Sequence, residues 1–290
     1  MLLGWLGAMA LGGVASAACD VETVAETKLR DVAGFLTVQA TIDGVPASLL
    51  LDTGAEAGLV TPDAATRLRL PVDPGRRTLV QGTGGAGEVI PHVVLSGAAI
   101  GGLGLPPHSV AVGPLPAVPR TTPPVAGLLG ADVLSAFDVE IDLRRGRFAL
   151  HRVSGSCDTP VSWAHDTVAL RRAGNRLIAG ARLDGHELDA LLDTGALSIA
   201  LDTGAALGLG VSADALARDP GGISGGVDMR EVPFHWHRFA SLAVGGVAIR
   251  HPVVTVTPVR EATPMLLGAS WFAGRHVWLS YATSRMFVAH

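Results

Sequence analysis

Two aspartates in matching surroundings are the residues of this chain best suited to chemistry. Asp52 and Asp193 each begin an Asp-Thr-Gly-Ala tetrapeptide, and they lie 141 residues apart (193 − 52) in a chain of 290. Each motif follows a short apolar run, which predicts that each carboxylate stands at the end of a buried strand. Ionisation of two adjacent carboxyls is opposed by repulsion between their negative charges. The pair can therefore share one proton, so that one member acts as a base and the other as an acid. Such a pair can activate a water molecule, and peptide-bond hydrolysis is the leading hypothesis.

The duplication extends along the whole chain and predicts two related halves. The segment ATIDGVPASLLLDTGA around Asp52 matches ARLDGHELDALLDTGA around Asp193. Further on, AAIGGLGLPPHSVAV matches LAVGGVAIRHPVVTV, Leu-Leu-Gly-Ala recurs at 128–131 and 266–269, and FDVEIDLRRGRFAL matches RHVWLSYATSRMFV. Four blocks in one order indicate two copies of one structural unit. Two tandem β-domains without a shared site are the competing interpretation.

Composition narrows the fold class and the range of partners. The 37 glycines and 18 prolines, spread among short apolar runs, predict many short strands joined by turns. Charged residues make up 17% of the chain, below the usual ~25%. The net charge is −4 and no basic stripe is present, so nucleic acid is not expected as a partner.

The sequence resembles the aspartic proteases of the retropepsin and pepsin type over nearly all of the chain after residue 18. The resemblance rests on the two Asp-Thr-Gly-Ala motifs and on the Leu-Leu-Gly elements that follow them. It implies an all-β, bilobal acid-protease fold of two pseudo-twofold-related β-barrel lobes with short helices. The lobes are expected at 19–152 and 163–290, with a linker at 153–162. The resemblance further implies a monomeric aspartic endopeptidase that cleaves peptide or protein substrates without a cofactor or metal ion.

The same resemblance assigns roles to residues around the two aspartates. Thr53 and Thr194 are expected to interlock the two loops through their hydroxyls, and Gly54 and Gly195 to orient backbone amides toward the carboxylates. Ala55 and Ala196 are further supporting residues of these loops. In each half a strand is expected beneath the loop, and these strands contain Leu128, Leu129, Gly130, Leu266, Leu267 and Gly268. Flaps over the site are expected to contain Gly82, Thr83, Gly84, Gly85, Ser224, Gly225 and Gly226.

Two departures from pepsins follow from the residues at these places. Neither expected flap contains the tyrosine that is typical of pepsins. Ala55 and Ala196 offer no hydroxyl to the carboxylates, where pepsins usually carry one. Losing a hydrogen bond to the charged form favours a higher pKa, so a less extreme acid optimum is expected.

The first 18 residues are interpreted as an export signal. An apolar stretch over 2–14 precedes Ala15-Ser16-Ala17, which resembles a cleavage site. The stretch is too short to span a bilayer, so the mature chain is expected in the periplasm or outside the cell without a membrane anchor. No Lys or Arg occurs in this stretch, and a buried N-terminal strand or helix is the competing interpretation. Lipid attachment at Cys19 is disfavoured by Ser16, where lipoprotein signals carry a larger aliphatic residue.

The two cysteines, Cys19 and Cys157, form an even pair. In an oxidising compartment such a pair is expected to form a disulfide that ties the N-terminus to the linker between the halves. Two free buried thiols are the competing interpretation.

Several other motifs have simpler explanations. A third Asp-Thr-Gly begins at Asp202, which aligns with Thr61, and both are expected to cap short helices. The run Gly82–Gly87 fits a Gly-x-Gly-x-x-Gly pattern, but a β-like run follows it where a nucleotide site needs a helix. His235, His237 and His251 lack further ligands at metal-site spacing, so no metal site is expected.

A non-catalytic, exported module that binds peptides is the main competing function. Fold alone does not establish activity. Retention of Asp, Thr and Gly in both halves favours catalysis, although binding loops could keep the glycines for their shape.

Overall fold

The computed structural model describes residues 19–81, 87–115, 118–155, 157–225 and 231–289. Within this part, strands form most of the regular structure and the five helices are short. The first half contains β1 (Asp20–Val32), β2 (Phe35–Ile42), β3 (Val45–Leu51), β4 (Leu59–Val60), α1 (Pro62–Arg67), β5 (Val72–Gln81), β6 (Gly87–Leu95), β7 (Ala98–Ile100), β8 (Leu103–Gly104), β9 (His108–Val112), β10 (Val125–Leu129), α2 (Ala131–Leu134), β11 (Asp138–Asp142) and β12 (Arg147–Ser154).

The second half repeats this order with local differences. It contains β13 (Asp166–Ala173), β14 (Arg176–Leu183), β15 (His186–Leu192), β16 (Ala200–Asp202), α3 (Thr203–Gly208), α4 (Ala213–Arg218), β17 (Gly221–Gly225), β18 (Glu231–Arg238), β19 (Ser241–Val244), β20 (Val247–Arg250), β21 (Val253–Thr257), β22 (Met265–Leu267), α5 (Ala269–Phe272), β23 (His276–Ser280) and β24 (Arg285–Ala289). The prediction of a mostly β fold built from two repeated halves is confirmed.

Matching Asp-Gly turns set the register of the hairpin that precedes each aspartate motif. Asp43 and Gly44 have φ of 50° and 77° and connect β2 to β3, while Asp184 and Gly185 have φ of 48° and 85° and connect β14 to β15. Positive φ at both central residues is the geometry of the two-residue turn whose twist matches that of the flanking strands. The turns therefore fix where the apolar strands β3 and β15 end.

The two halves share an antiparallel sheet with strand order β1, β12, β11, β23, β24 and β13. The seam between the halves is the pairing of β11 with β23, where Glu140 lies opposite Trp278. Glu140 is 5% exposed and accepts hydrogen bonds from its own half, at His151 (2.8 Å), and from the other half, at His276 (2.7 Å). The seam therefore combines backbone pairing with a buried polar network.

Apolar packing also crosses the boundary between the halves. One cluster of buried side chains contains Leu51 and Leu129 from the first half together with Leu192 and Leu267 from the second. These leucines belong to the strands that immediately precede the turns of interest, so the same core supports both turns. The interior is closely packed, and a change in this core is expected to move both aspartates together.

The helix caps follow the sequence expectations. Thr61 is the N-cap of α1, where its hydroxyl accepts from the amide of Ala64, and Asp202 is the N-cap of α3, where its carboxylate accepts from Gly204 and Ala205. The prediction that Asp202 is a helix cap is confirmed. Helix α4, which Ser212 caps, has no counterpart in the sequence expectations.

The N-terminal strand is tied to the segment between the halves. Cys19 and Cys157 form a disulfide across 138 residues of chain, and β1 pairs with β12 over Asp20–Lys28. Strand β12 continues to Ser154, inside the segment expected to be a linker, and the next strand begins at Asp166. None of the helices in the described residues is both long and apolar enough to cross a membrane.

Candidate active site

Two equivalent strand arrangements hold the aspartates. Strand β10 runs parallel to β3 and antiparallel to β4, and β22 lies in the same way between β15 and β16. The amide of Asp52 donates to the carbonyl of Leu129 at 3.1 Å, and the amide of Asp193 donates to Leu267 at the same distance. Each aspartate therefore leaves its strand at a point that the neighbouring central strand fixes.

The glycines that end these central strands allow the backbone to pass close to the aspartate turns. A Cβ atom on Gly130 would overlap the backbone of Ala57, and one on Gly268 would overlap the carbonyl of Ser198. Immediately after them, the amide of Ala131 donates to the carbonyl of Ala55 at 2.9 Å, and Ala269 donates to Ala196 at 2.7 Å. The Leu-Leu-Gly-Ala elements thus support both turns from below.

Four buried hydrogen bonds lock the two turns to each other. The hydroxyl of Thr53 donates to the carbonyl of Leu192 at 2.7 Å and accepts from the amide of Thr194 at 3.1 Å. The hydroxyl of Thr194 makes the reciprocal pair, donating to Leu51 at 2.7 Å and accepting from Thr53 at 3.1 Å. Because every bond crosses between the halves, the turns behave as one unit.

The structure brings the two carboxyls together across this lock. A Cβ atom on Gly54 would overlap the carboxyl of Asp193, and one on Gly195 would overlap that of Asp52, so only glycine fits at either position. The two carboxyls therefore face each other, close enough for the charge of Asp52 to raise the pKa of Asp193.

Within each turn, one carboxyl oxygen receives the backbone donors. Oδ1 of Asp52 accepts from the amides of Gly54 at 3.0 Å and Ala55 at 2.9 Å. Oδ1 of Asp193 accepts from Gly195 at 3.0 Å and Ala196 at 3.1 Å. Since both amides of each turn go to Oδ1, Oδ2 is the oxygen that the turn leaves available for chemistry.

The pKa values of both carboxyls are raised above the usual value for aspartate. Burial raises the pKa of Asp52, although the amides of Ala55 and Gly54 oppose the shift. Burial and then the charge of Asp52 raise the pKa of Asp193 well above its usual value. Interacting carboxyls whose pKa values are raised by burial are typical of acid–base pairs.

Apolar side chains line each turn in a corresponding way. Ala55 packs on a cluster from the first half and Ala196 on a cluster from the second. The first cluster contains Leu50, Leu59, Ile90, Ala111, Val125 and Leu128, and the second contains Ile178, Leu191, Ala200, Val259 and Leu266. Apolar surfaces on both sides of the carboxyls suit apolar side chains of a ligand.

A charged cluster that sequence reasoning missed also lies against the first turn. Arg176 bonds to Glu56 at 2.9 Å and to Glu261 at 2.8 Å, and it donates to the carbonyl of Gly54 at 3.4 Å. The charge of Glu261 contributes to the raised pKa values of both aspartates, after the larger effect of burial. The sequence offered one hint of this cluster: Glu56 directly follows the first Asp-Thr-Gly-Ala, and Arg176 lies beside a hairpin turn of the other half.

This cluster has an apolar counterpart, so the site departs from twofold symmetry. The hairpin turn at Gly174 lies against Glu56, whereas the equivalent turn at Gly34 lies against Leu197, whose Cδ2 would be 3.2 Å from an added Cβ. Phe35 then occupies the place that Arg176 holds in the other half. One side of the site is therefore charged and the other apolar.

Hairpins occupy the places where the sequence predicts flaps. Strands β5 and β6 pair from Val72 to Val93, and β17 and β18 pair from Gly221 to His235. Ser224 and Gly225 lie at the end of β17, while Gly82, Thr83, Gly84, Gly85 and Gly226 lie outside the described residues. Strand β6 begins at Gly87, the last residue of the Gly-x-Gly-x-x-Gly run, where a nucleotide site needs a helix.

Of the histidines considered as metal ligands, His237 has an acidic partner. His237 binds Asp219 at 2.6 Å, and His235 lies on β18 opposite Gly221. In the described part of the chain, no group of three or more His, Cys, Asp or Glu residues could hold a metal ion.

Comparison with known proteins identifies a family and a fold. The profile of the aspartyl protease family matches residues 38–133 and 179–271. The first segment contains the Asp-Thr-Gly-Ala motif of Asp52, the second contains that of Asp193, and each has one Leu-Leu-Gly element. Among solved structures, the chain is similar to Basic 7S globulin from soybean, with a TM-score of 0.51 and 10% identity over 94% of this chain and 95% of that one. At this identity the structural match shows the fold alone. No curated protein matches the chain.

Proposed function

The chain belongs to the aspartyl protease family, whose profile covers more than half of it, and we propose that it is an aspartic endopeptidase. In this proposal, Asp52 and Asp193 hydrolyse peptide bonds through a water molecule activated between them. The observation that carries the proposal is the approach of two carboxyls, one from each half, where the two locked turns meet: Asp193 is buried and Asp52 is partly buried.

The proposed chemistry uses one shared proton. The ionised carboxylate takes a proton from water as the water oxygen attacks the scissile carbonyl carbon, and the protonated carboxyl donates its proton to the carbonyl oxygen. As the tetrahedral intermediate collapses and its C–N bond breaks, the carboxyl that took the proton from water passes it to the leaving nitrogen. A hydroxyl proton of the intermediate returns to the other carboxylate. The pair ends with the same number of protons as at the start. General acid–base transfer of this kind contributes about 10²–10⁴-fold.

The raised pKa values favour retention of one proton by the pair. Burial raises the pKa of both aspartates, and the charge of Asp52 further raises that of Asp193. The pair titrates as a unit, and its activity requires the singly protonated form. Activity should therefore fall both where the pair gains a second proton and where it loses the last one.

Supporting residues act by position. The threonine lock holds the two carboxyls at a fixed separation, and the turn amides bind each Oδ1 and leave each Oδ2 for the reacting groups. Preorganised geometry of this kind supplies much of enzymatic rate enhancement. The apolar clusters next to Ala55 and Ala196 favour apolar residues on both sides of the scissile bond.

A monomeric, exported enzyme fits these features. Both carboxyls come from one chain, so a second copy is not needed to complete the pair. A disulfide is consistent with an oxidising compartment outside the cytoplasm. We include export in the proposal on these grounds together with the signal-like first 18 residues.

Asparagine variants test the proposal directly. The purified chain, Asp52→Asn, Asp193→Asn and the control Asp202→Asn should be assayed on a denatured protein across pH 3–7, with circular dichroism to verify folding. We expect the first two variants to lose activity by at least about 10³-fold, because neither can supply the pair of acids. The control should keep its activity, since Asn also caps helices well.

Two outcomes would reject the endopeptidase. One is residual proteolysis by a folded Asp52→Asn, Asp193→Asn double variant at the level of the unchanged chain. The other is a folded unchanged chain that binds peptides and cleaves none of them, which would favour the non-catalytic binding module.

A further inference from the structure

A polar cavity of about 280 Å³ lies on the first half, away from the two carboxyls. Its lining carries two arginines, Arg30 on β1 and Arg120 in the segment before β10, together with hydroxyl and amide side chains. The lining residues are Arg30, Val32, Thr37, Gln39, Ser48, Arg120, Thr121 and Thr122.

The second half shows what the equivalent arginine binds. Arg30 and Arg171 occupy equivalent places in the two halves. Arg30 pairs with Thr37 on β2, and Arg171 pairs with Ile178 on β14. Arg171 follows Arg30 by 141 residues, and Ile178 follows Thr37 by the same number. Arg171 donates to the carboxylate of Asp189 at 2.6 Å. The residue equivalent to Asp189 in the first half is Ser48.

The exchange of Asp for Ser leaves the arginines of the first half open. The hydroxyl of Ser48 donates to the carbonyl of Pro123 at 2.8 Å, and it carries no charge. Within the described residues, neither Arg30 nor Arg120 has a carboxylate at ion-pair distance. The cavity thus contains Arg30, the equivalent of Arg171, but no carboxylate equivalent to Asp189. Arg120 adds a second positive charge.

The cavity lies on the same face of the sheet as the aspartate turn. Side chains two residues apart on a strand share a face, which places Ser48, Leu50 and the start of the turn at Asp52 in one line. Leu50 belongs to the apolar cluster that also contains Ala55. Four strand residues span about 13 Å, so an extended peptide lying along this face would reach the cavity three or four residues from the carboxyls.

We propose that this cavity is a subsite that binds an acidic side chain of the substrate, three or four residues from the scissile bond. The inference rests on the proposed function and adds a substrate class to it: peptides with apolar residues at the cleavage point and Glu or Asp at a distance. Arg30 and Arg120 are the residues that determine this specificity. A planar guanidinium binds a carboxylate with two parallel hydrogen bonds, which favours Glu over the isosteric Gln.

The experiment uses one degenerate decapeptide library with Leu-Phe fixed at its centre and two readouts. The unchanged chain is incubated with the library, and the cleaved products are sequenced by mass spectrometry. Immobilised Asp52→Asn protein is used separately to capture uncut peptides. We expect Glu to be enriched over Gln by about tenfold, or ~1.4 kcal/mol, at one position three or four residues from the centre in both readouts.

Three variants assign the preference to the cavity. Arg30→Gln and Arg120→Gln should each reduce it, whereas Arg250→Gln, an exposed arginine on β20, should leave it unchanged. Ser48→Asp places a carboxylate where the second half has Asp189 and should abolish the preference by pairing with Arg30. Because Ser48 is buried, the two glutamine variants keep the test valid if Ser48→Asp fails to fold.

The outcomes separate the subsite from the endopeptidase. Equal enrichment of Glu and Gln in both readouts, or a Glu preference that survives Arg30→Gln and Arg120→Gln, would overturn the subsite even where cleavage is strong. A Glu preference in capture that depends on the arginines, without any cleavage, would uphold the carboxylate subsite and reject the endopeptidase.

Discussion

Thr53→Val is the substitution that most directly tests the lock between the two halves. Valine has nearly the same shape as threonine, so the packing is kept while the hydroxyl is removed. Thr53 is fully buried, and its hydroxyl makes one donated and one accepted hydrogen bond to the other half. The substitution therefore removes two hydrogen bonds and leaves the carbonyl of Leu192 and the amide of Thr194 without their partner.

The expected cost follows from these two orphaned groups. A buried polar group that loses its partner destabilises a protein by about 1–3 kcal/mol. Two such groups give a loss of about 2–6 kcal/mol in the free energy of unfolding. At about 2–4 °C per kcal/mol for a chain of this size, the midpoint of thermal unfolding should fall by at least ~4 °C. Activity should fall as well, because the separation of the carboxyls is no longer fixed.

Urea denaturation of the unchanged chain, Thr53→Val and Thr53→Ser measures this cost. Thr53→Ser keeps the hydroxyl and should lose less than half as much stability as Thr53→Val. Thr61→Ser, at a partly buried helix cap, is a second control that should be nearly neutral because serine also caps helices. A loss below about 0.5 kcal/mol for Thr53→Val would refute the argument that these bonds carry the coupling between the halves.

Three further predictions follow from the buried charges and the disulfide. Burial raises the pKa of Glu140, but hydrogen bonds from His151, His276 and Arg147 outweigh it and lower the pKa from 4.5 to about 2. The stabilisation by ionised Glu140 is therefore present above pH 4.5 and lost toward pH 2. In urea titrations, Glu140→Gln should lower the free energy of unfolding by about 3 kcal/mol at pH 7 and by little at pH 2. The exposed Glu22→Gln is the control and should be nearly neutral. The raised pKa of Asp193 has the opposite sign: its stabilisation is present below the unfolded pKa and is lost as pH rises through the folded value. Asp193→Asn should therefore become more stable relative to the unchanged chain as the pH rises above 3.8, the usual value for aspartate. A pH–rate maximum as low as about pH 2 would contradict the raised pKa values. Replacing both Cys19 and Cys157 by Ala, which opens a loop spanning 138 residues, should lower the free energy of unfolding by about 2–4 kcal/mol, and an unchanged urea midpoint would show that the link contributes nothing.

The sequence was sufficient to predict those features of the fold that the repeat determines. Asp-Gly turns, apolar strands and Leu-Leu-Gly elements recur at matched spacing, so the fold and the family could be predicted before any contact was known. The caps Thr61 and Asp202 were predictable because capping depends on a few adjacent residues. In each case the relevant physics is local, or is repeated in both halves.

Features that arise where the halves meet were not predictable in this way. The contacts of Arg176 with Glu56 join residues 120 apart in sequence, and Glu140 meets His276 across 136 residues. The residues equivalent to Arg176 and Glu56 are Phe35 and Leu197, which carry no charge. The residues equivalent to Glu140 and His276 are Trp278 and Asp138, which form a hydrogen bond of a different chemical type at 2.9 Å. Because the residue types do not repeat, comparison of the two halves predicts neither contact. The open arginine at Arg30 became visible only when the ion pair of Arg171 with Asp189 supplied the reference.

The departure from twofold symmetry around the turns has a consequence for how a peptide can lie in the molecule. In an enzyme assembled from two identical chains, every substitution appears twice, and an N-to-C strand and its reverse meet the same surroundings. Here Arg176 has Phe35 as its counterpart and Glu56 has Leu197. Under the proposed function, the two orientations of a bound peptide would therefore differ in energy, and the fused chain would favour one N-to-C direction of its substrate.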